Sequence, residues 1–546
     1  MAGYYRDLRD YLAALEAREL LVRVREPVDK DTELHPLVRL QFRGRPEPER
    51  RAFLFEQVRG AAGRAYDAPV AIGCMAASRQ IYAVGMQCAS VEEIPAEWAA
   101  AQAAAIEPVL VESGPCQEVV ITGAALEQGQ GLDALPIPIS TPGFDNAPYL
   151  TAGHFVTRDP ATGLRNLGNY RAQLKSPTRL GCLAAFYQDL SRHWRAWQAR
   201  GEPMPVAIVI GSTPNLAYTS VSKMPSDVEE YAVAGGLAGA PVELVRCRTV
   251  PLEVPANAEI VVEGWMPTDE LEMEGPFGEF TGYMASRGPN KFVNVTAITR
   301  RRAPVYLAFL SQFPPSESSI LRGVAHEHNI QHFLTVEQGL KGVRAVALHE
   351  ATGSWGLCVI QVDRAAGAEP GRLLDALAQH PRLVSKLVVV VDEDIPIRDA
   401  NAVNWAISFR SQPHRDCRVV PATQLSLDPS LVSVEERGIA QFERLKASAL
   451  LIDATRKWAY PPLSLPKREY MERARQRWDE LGLGPLQLAE PWHGYSLGAW
   501  SPEVEEEAAL AVDGRYAEVG ARAAAGRYRV GHLPESGGDG AAPRDR

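Results

Sequence analysis

At 546 residues the chain is several times the length of an average domain, so two or three domains with sizeable cores are expected and a single small binding module is excluded. Hydrophobic residues at 46% and charged residues at 23% are the composition of a folded globular protein rather than a disordered one. Fifty-seven basic against 67 acidic side chains give a net charge of −10, which favours solubility and argues against nucleic acid as a partner.

The first residues lead into an amphipathic helix with Leu8, Tyr11, Leu12 and Leu15 on one face, not into an apolar signal segment. Over residues 1–120, helical patterns alternate with short apolar runs such as Ala68–Ile72, which predicts a small α/β unit. Over 121–312 the texture changes to β-rich runs set off by Gly and Pro: Val206–Ile210, Glu259–Trp265, Phe292–Ile298 and Val305–Leu310. After the turn Phe313-Pro314-Pro315-Ser316, strands at Ala345–Leu348, Leu357–Val362 and Leu387–Val391 alternate with helical stretches such as Arg372–Ala378, predicting a second α/β domain over 313–465. Residues 466–546 read as a charged helical arm, with Ser501-Pro502 opening a helix, and the last dozen residues read as a disordered tail. The seven cysteines, at 74, 88, 116, 182, 247, 358 and 417, form no CxxC pair and read as reduced buried thiols. No apolar run approaches the roughly 20 residues of a membrane-spanning helix, and a cytoplasmic protein is expected.

Three segments could carry chemistry. In Glu274-Gly275-Pro276-Phe277-Gly278-Glu279 two carboxylates bracket a tight turn. Aimed at one point in a partly dry site they would resist simultaneous ionisation, leaving one protonated to act as a general acid; the plainer alternative is a solvated acidic turn. In Asn166-Leu167-Gly168-Asn169-Tyr170-Arg171, after a hairpin turn at 159–163, Asn166 and Arg171 point to opposite faces of a strand unless a bulge at Gly168 intervenes. The fork of Arg171 suits a carboxylate, of a substrate or of a neighbouring glutamate, although a surface strand arginine is the plainer role. Gln188-Asp189, Ser222-Lys223-Met224-Pro225 and Glu229-Glu230 add oxygen donors that could meet Asn166 around a hard cation.

In this order the segments resemble the UbiD family of prenylated-flavin-dependent decarboxylases, from the first helix to about residue 460. The resemblance is carried by Asp7–Leu12, NLGNYR at 166–171, EYAVAG at 230–235, VPANAEIVVEG at 254–264 and EGPFGEFTGY at 274–283, and continues in PPSE at 314–317, KLVVVVDEDI at 386–395 and Asp453-Ala454-Thr455. It implies a mixed α/β protein with an N-terminal α/β domain, a central split β-barrel that binds the flavin, and a C-terminal α/β domain that builds a homodimer or homohexamer. The implied catalytic residues are Arg171, Glu274 and Glu279. The implied cofactor contacts are Thr151, Asn166, Arg171, Gln188, Ser222, Lys223, Met224, Pro225, Glu230 and Lys386.

The family's cation joins the flavin phosphate to an asparagine, a histidine and a glutamate; here these positions fall on Asn166, Asp189 and Glu230. Aspartate in place of imidazole favours manganese or magnesium, with iron(II) a further option, and potassium is implied nearby. His193, one helical turn on, is a reserve ligand read here as a helix-surface residue.

The implied reaction is reversible non-oxidative decarboxylation of an α,β-unsaturated or aromatic acid, free or as a coenzyme A thioester, with prenylated FMN supplied by a flavin prenyltransferase. Two alternatives keep the fold: an oxidoreductase using ordinary FMN, which the lack of a nicotinamide fingerprint disfavours, and a non-catalytic subunit of a carboxylase complex.

Overall fold

The computed structural model describes residues 3–60, 63–222, 224, 228–380, 385–422, 427–431, 447–486 and 500–526. The expected disordered tail, Lys223 and Pro225 lie outside them. The chain divides into one large unit, residues 1–393 with 403–455, and a smaller one, residues 394–402 with 456–546.

The chain opens with the helix Leu8–Glu16, capped by Asp7, whose carboxylate accepts from the backbone N–H groups of Arg9 and Asp10. Leu8, Tyr11, Leu12 and Leu15 are all buried, as their spacing predicts. Beside it lies a four-stranded sheet in the order Leu21–Val24, Ala52–Phe55, Val70–Ile72 and Tyr306–Ala308. The last of these was expected in the central β-rich region. Tyr306, Leu307 and Ala308 are buried on both faces, so no alternation marks which sheet they join; parallel pairing with Val70–Ile72 decides it.

The centre is a ten-stranded sheet, antiparallel throughout, whose main path runs Arg165–Asn169, His154–Arg158, Met204–Ile210, Ile260–Met266, Gly288–Arg300, Arg179–Cys182, Ala172–Ser176 and Tyr149–Leu150. All seven residues of Met204–Ile210 are buried, so the strand is covered on both faces, each large aliphatic side chain contributing roughly 1.5–3 kcal/mol. Strand Arg165–Asn169 lies at one end of this path, and Ala172–Ser176 is next to last at the other. Only Tyr170 and Arg171 link them, so Asn169 and Ala172 are at most about 11 Å apart. The sheet therefore curls back on itself without the two strands pairing, which is the form of a split barrel.

Helix Glu317–His332 follows the central sheet. The buried carboxylate of Glu317 accepts from Gly73 N (3.0 Å), Met75 N (3.1 Å) and Leu310 N (3.2 Å), tying three segments to the helix start. A mixed five-stranded sheet then runs in the order Val343–Leu348, Leu357–Val362, Leu387–Asp392, Ala447–Ala454 and Cys417–Ala422, with Pro370–Gln379 buried against it through Leu373, Leu374 and Leu377. The expected α/β character of this region is observed.

The smaller unit holds the helices Arg468–Glu480, Pro502–Val512 and Tyr516–Ala525, and only Leu510 of their residues is buried. Lys467 pairs with Glu505 within it. Among the described residues no helix is long and apolar enough to cross a membrane.

Candidate active site

Arg171 sits at the bend between the two strands that the curled sheet brings together, and the bend, not a bulge, aims it. The hairpin Arg165–Asn169 keeps regular register with His154–Arg158 through Gly168, which pairs with Phe155. Gly168 instead makes room for Tyr170: a Cβ there would lie 2.5 Å from the tyrosine ring. Tyr170 N–H donates to Gly153 O at the bend (3.3 Å).

The guanidinium of Arg171 donates from Nε to Glu274 Oε1 (2.9 Å) and from Nη2 to Glu274 Oε2 (2.7 Å), a two-pronged pair. Its Nη1 donates to Glu279. The three residues expected to act together are thus in direct contact, though about a hundred positions apart. All three are buried, Glu274 completely.

The turn that separates the glutamates explains how both reach one arginine. Glu274 ends the strand Glu272–Glu274, held against Gly288–Asn290 of the long strand. Gly275 follows with φ +92°, a left-handed conformation open to glycine, and the Gly275–Pro276 bond is cis. Phe277 and Gly278 pair with Ala285 and Met284, and Phe277 lies under Arg171 at 5.2 Å. A Cβ at Gly278 would meet Thr141 Oγ1 at 2.6 Å and Gln312 Cγ at 2.7 Å.

Several supporting groups carried no recognisable sequence signal. Asp145 accepts from Thr141 N (2.7 Å) and Gly278 N (3.2 Å), and Asn146 donates to Gly275 O (2.9 Å), so the loop before Tyr149 braces the turn from behind. Asn290 donates to Glu274 Oε2 (3.3 Å), and Tyr149 packs on Phe277 with ring centres 4.3 Å apart. Arg322, on helix Glu317–His332, stacks on Phe280 at 3.8 Å.

One guanidinium shared by two carboxylates leaves the group one positive charge short. Burial pushes the Glu279 carboxyl above its ordinary range, against the opposing pull of Arg171, while Glu274 raises it further. Burial alone would lower the titration point of Arg171, but Glu279 and Glu274 outweigh it and keep the guanidinium charged. Burial also pushes Asp145 up to about 6, although Thr141 and Gly278 N–H groups oppose this. The arrangement therefore has a fixed cation, a two-bond carboxylate partner, and Glu279 as the carboxyl inclined to hold a proton.

The second cluster lies one strand away. Asn166 is buried with its Nδ2 lacking a hydrogen-bond partner. Glu230 opens the helix Glu230–Ala238 and accepts from Leu167 N (3.0 Å). Burial pushes Glu230 up to about 7, with Asp189 and Glu229 adding to the rise. Asp189 opens the helix Asp189–Arg200, is partly exposed and pairs with Arg192 at 3.4 Å. Gln188 turns its Oε1 to Ala185 N (2.6 Å), while Ser222 Oγ is buried without a partner.

His193, read from sequence as a helix-surface residue, is buried instead. Its Nδ1 meets Thr157 Oγ1 at 2.9 Å, its Nε2 has no partner, and burial lowers it to about 4. Residue His193 falls on the side of its helix that packs on the sheet, and Thr157 pairs in register with Asn166. Thr151 Oγ1 accepts from Phe309 N (2.8 Å), Met224 is buried, and Lys386 pairs with Asp428 at 2.6 Å.

Family models cover most of the chain. Those described as the N-terminal, Rift-related and C-terminal domains of 3-octaprenyl-4-hydroxybenzoate carboxy-lyase match residues 12–98, 109–313 and 319–454. The chain belongs to the UbiD carboxy-lyase family. The Synechocystis sp. (strain ATCC 27184 / PCC 6803 / Kazusa) protein sll0936 is 31% identical over 512 residues, which is 89% of this chain and 98% of that protein.

Among solved UbiD-class structures, HmfF from Pelotomaculum thermopropionicum, in an evolved dimeric form in complex with prFMN, is 32% identical with a TM-score of 0.72, covering 86% of this chain and 100% of that one. The vanillic acid decarboxylase of Sedimentibacter hydroxybenzoicus in closed form is 25% identical with a TM-score of 0.73, covering 88% and 100%. The apo 3,4-dihydroxybenzoic acid decarboxylase of Enterobacter cloacae is 25% identical with a TM-score of 0.72, covering 86% and 100%.

The UbiD fold raises the question of whether these residues fit a flavin phosphate and a cation. They do. The Asn166 amide and Ser222 hydroxyl are buried polar groups without a partner among the described residues, and the charges of Glu230 and Asp189 repel one another. A hard cation with oxygen ligands would relieve that repulsion.

Proposed function

We propose that this chain is a reversible, non-oxidative decarboxylase of an α,β-unsaturated or aromatic carboxylic acid that uses prenylated FMN and a divalent metal. The observation that carries the reading is the buried Arg171 bridging Glu274 and Glu279. When bound, the prenylated flavin would serve as the electron sink that makes loss of carbon dioxide from an sp² carbon feasible.

Asn166, Glu230 and Asp189 would hold manganese or magnesium beside the flavin phosphate. Thr151, Gln188, Ser222, Lys223, Met224, Pro225 and Lys386 would contact the flavin. Arg171 fixes both glutamates, excludes alternative rotamers of Glu274 through its two-pronged pair, and keeps Glu279 within reach of the reacting carbon. Glu279 holds a proton at its carboxyl and delivers it to the carbon that loses carbon dioxide, a step that contributes roughly 10² to 10⁴ in rate. Glu274, fully buried and held by Arg171 and Asn290, stays in place as the anchor of the set.

Tyr283, whose carbonyl accepts from Glu279 N (2.9 Å), is exposed, and an aromatic ring so close to the catalytic turn suits a flat substrate. The protein is proposed to act in the cytoplasm as a homodimer or homohexamer, with a flavin prenyltransferase as cofactor supplier.

The test is anaerobic purification from cells that also express a flavin prenyltransferase, followed by mass and absorption analysis of the released cofactor and metal analysis of the protein. Prenylated FMN with stoichiometric manganese or magnesium is expected. Unmodified FMN alone, with reduced nicotinamide consumed on addition, would replace the decarboxylase with an oxidoreductase.

A further inference from the structure

Glu279 stands in a turn that has to be held from outside, because neither end of it carries a side chain. Glu279 N–H donates to Tyr283 O (2.9 Å) and Glu279 O accepts from Gly282 N (3.0 Å), closing the turn between Gly278 and Gly282. Gly278 lies on Gln312: an added Cβ would fall 2.7 Å from Gln312 Cγ. Gly282, at φ +94°, lies on Phe313, whose ring would be 3.2 Å from an added Cβ. The turn that carries Glu279 thus rests at both ends on residues 312 and 313.

That support has no regular secondary structure of its own, and Phe313 has φ +26°, where residues other than glycine are uncommon. Helix Leu34–Gly44 holds it. Arg39 Nη1 donates to Gln312 O (2.8 Å) and Phe313 O (3.3 Å), the carbonyls on either side of the Phe313 α-carbon, and Nη2 donates to Gln312 Oε1 (3.3 Å). Arg43, one helical turn on, donates to Pro314 O (3.0 Å) and stacks on the Phe313 ring at 5.0 Å.

A charged donor bonds a carbonyl more strongly than a neutral one, so a guanidinium is an effective fastener for such a segment. Burial and the charge of Arg43 lower Arg39 to about 10, with Asp145 pulling the other way, and it stays a cation at neutral pH. Asp145 is also the acceptor for Gly278 N (3.2 Å), so its attraction to Arg39 acts on the same end of the turn.

We infer that Arg39 is a positioning residue for Glu279. From the N-terminal region it fixes Gln312 and Phe313, and through them the turn that sets the Glu279 carboxyl against Arg171. Arg43 supports the same segment. The consequence for proton delivery rests on the decarboxylase reading above; the placement of Glu279 does not.

The test uses the full chain loaded with prenylated FMN and metal, as wild type, Arg39→Met, Arg39→Lys, Gln312→Ala and Arg9→Met. Arg9→Met is the structural control, since it strips buried Glu259 of two hydrogen bonds of 3.0 Å and makes none to residues 312–314. Infrared difference spectra between each protein and the same protein carrying Glu279→Gln isolate the Glu279 carboxyl. In Arg39→Met and Gln312→Ala its band should shift toward that of a carboxyl without its arginine. Arg39→Lys should return part of the way, because an ammonium can still donate to both carbonyls, and Arg9→Met should match wild type.

Carbon dioxide release from cinnamate, 4-hydroxybenzoate, 3,4-dihydroxybenzoate and furan-2-carboxylate is the second reading. For Arg39→Met, kcat per bound flavin should fall about 10- to 100-fold with KM unchanged, the cost of a catalytic group displaced by a fraction of its working distance. An Arg39→Met protein with the wild-type band and kcat, or with losses equal to those of Arg9→Met, would overturn the assignment while leaving the decarboxylase reading intact. A wild type that releases carbon dioxide from none of the four acids would count against that reading, and the infrared shift alone would then decide for or against Arg39.

Discussion

Replacing Arg171 with methionine would leave two buried carboxylates facing each other with no cation. Removing one partner of a buried ion pair costs about 3–5 kcal/mol, because the charge left behind cannot be solvated. Here Arg171 makes three hydrogen bonds to two carboxylates, so about 4 kcal/mol at pH 8 is expected. Burial already raises the titration point of Glu279 above its ordinary value, and without Arg171 it rises further. An acid whose folded-state pKa is raised holds its proton in the folded state while the unfolded chain has released it. Stability is therefore lost as pH rises through that interval.

The deficit of Arg171→Met should accordingly shrink between pH 8 and pH 5.5, when the carboxyls become neutral. The assay is isothermal urea denaturation of wild type, Arg171→Met and the triple variant Arg171→Met/Glu274→Gln/Glu279→Gln at both pH values. The triple variant should recover most of the loss at pH 8, since it removes the uncompensated charges. A single variant within about 1 kcal/mol of wild type at pH 8, or a deficit unchanged by pH, would refute the reasoning.

Other consequences are equally direct. Arg171→Lys keeps the charge but can meet only one carboxylate well, so carbon dioxide release by the cofactor-loaded protein should fall by about 10² or more while stability drops less than in Arg171→Met. Gly278→Ala places a Cβ 2.6 Å from Thr141 and 2.7 Å from Gln312, shifting the strand between the two glutamates; turnover should fall while flavin uptake persists, as read by bound-flavin absorbance. Glu317→Gln leaves one acceptor oxygen for three buried N–H groups, which should cost about 1–3 kcal/mol in denaturation. Burial pushes Glu317 up to about 7, so its contribution to stability should decline as pH rises from about 4.5 to about 7, and Glu317→Gln should flatten that slope in pH-dependent melts.

How much of this was written in the sequence varies with the kind of residue. The first helix and the strand Leu357–Val362 fall where periodicity and β-branched runs place them, because each buries one face or both against a neighbour. Strand Tyr306–Ala308 could be read as a strand but not assigned to a sheet, since a run buried on both sides carries no record of its partners. The turn between Glu274 and Glu279 was visible in its glycines and proline. The role of Gly168 stays open in the sequence, because a small residue beside an aromatic two positions on looks the same whether it bulges or makes room.

His193 reads in the sequence as a surface residue, yet its packing against Thr157 depends on which side of the helix meets the sheet, and one turn of mixed polar residues does not fix that. Arg322 and Asp145 had no readable signal. Their roles exist only once segments far apart in the chain are folded against the Glu274–Glu279 turn.

Proton delivery by Glu279 is tested most directly by turnover in heavy water. Wild type loaded with prenylated FMN and metal should release carbon dioxide from an unsaturated or aromatic acid and place one deuterium on the carbon that carried the carboxylate. Glu279→Gln should bind the same cofactor yet lose both release and labelling by about 10² to 10⁴. Equal rates and equal labelling in the two proteins would contradict the account.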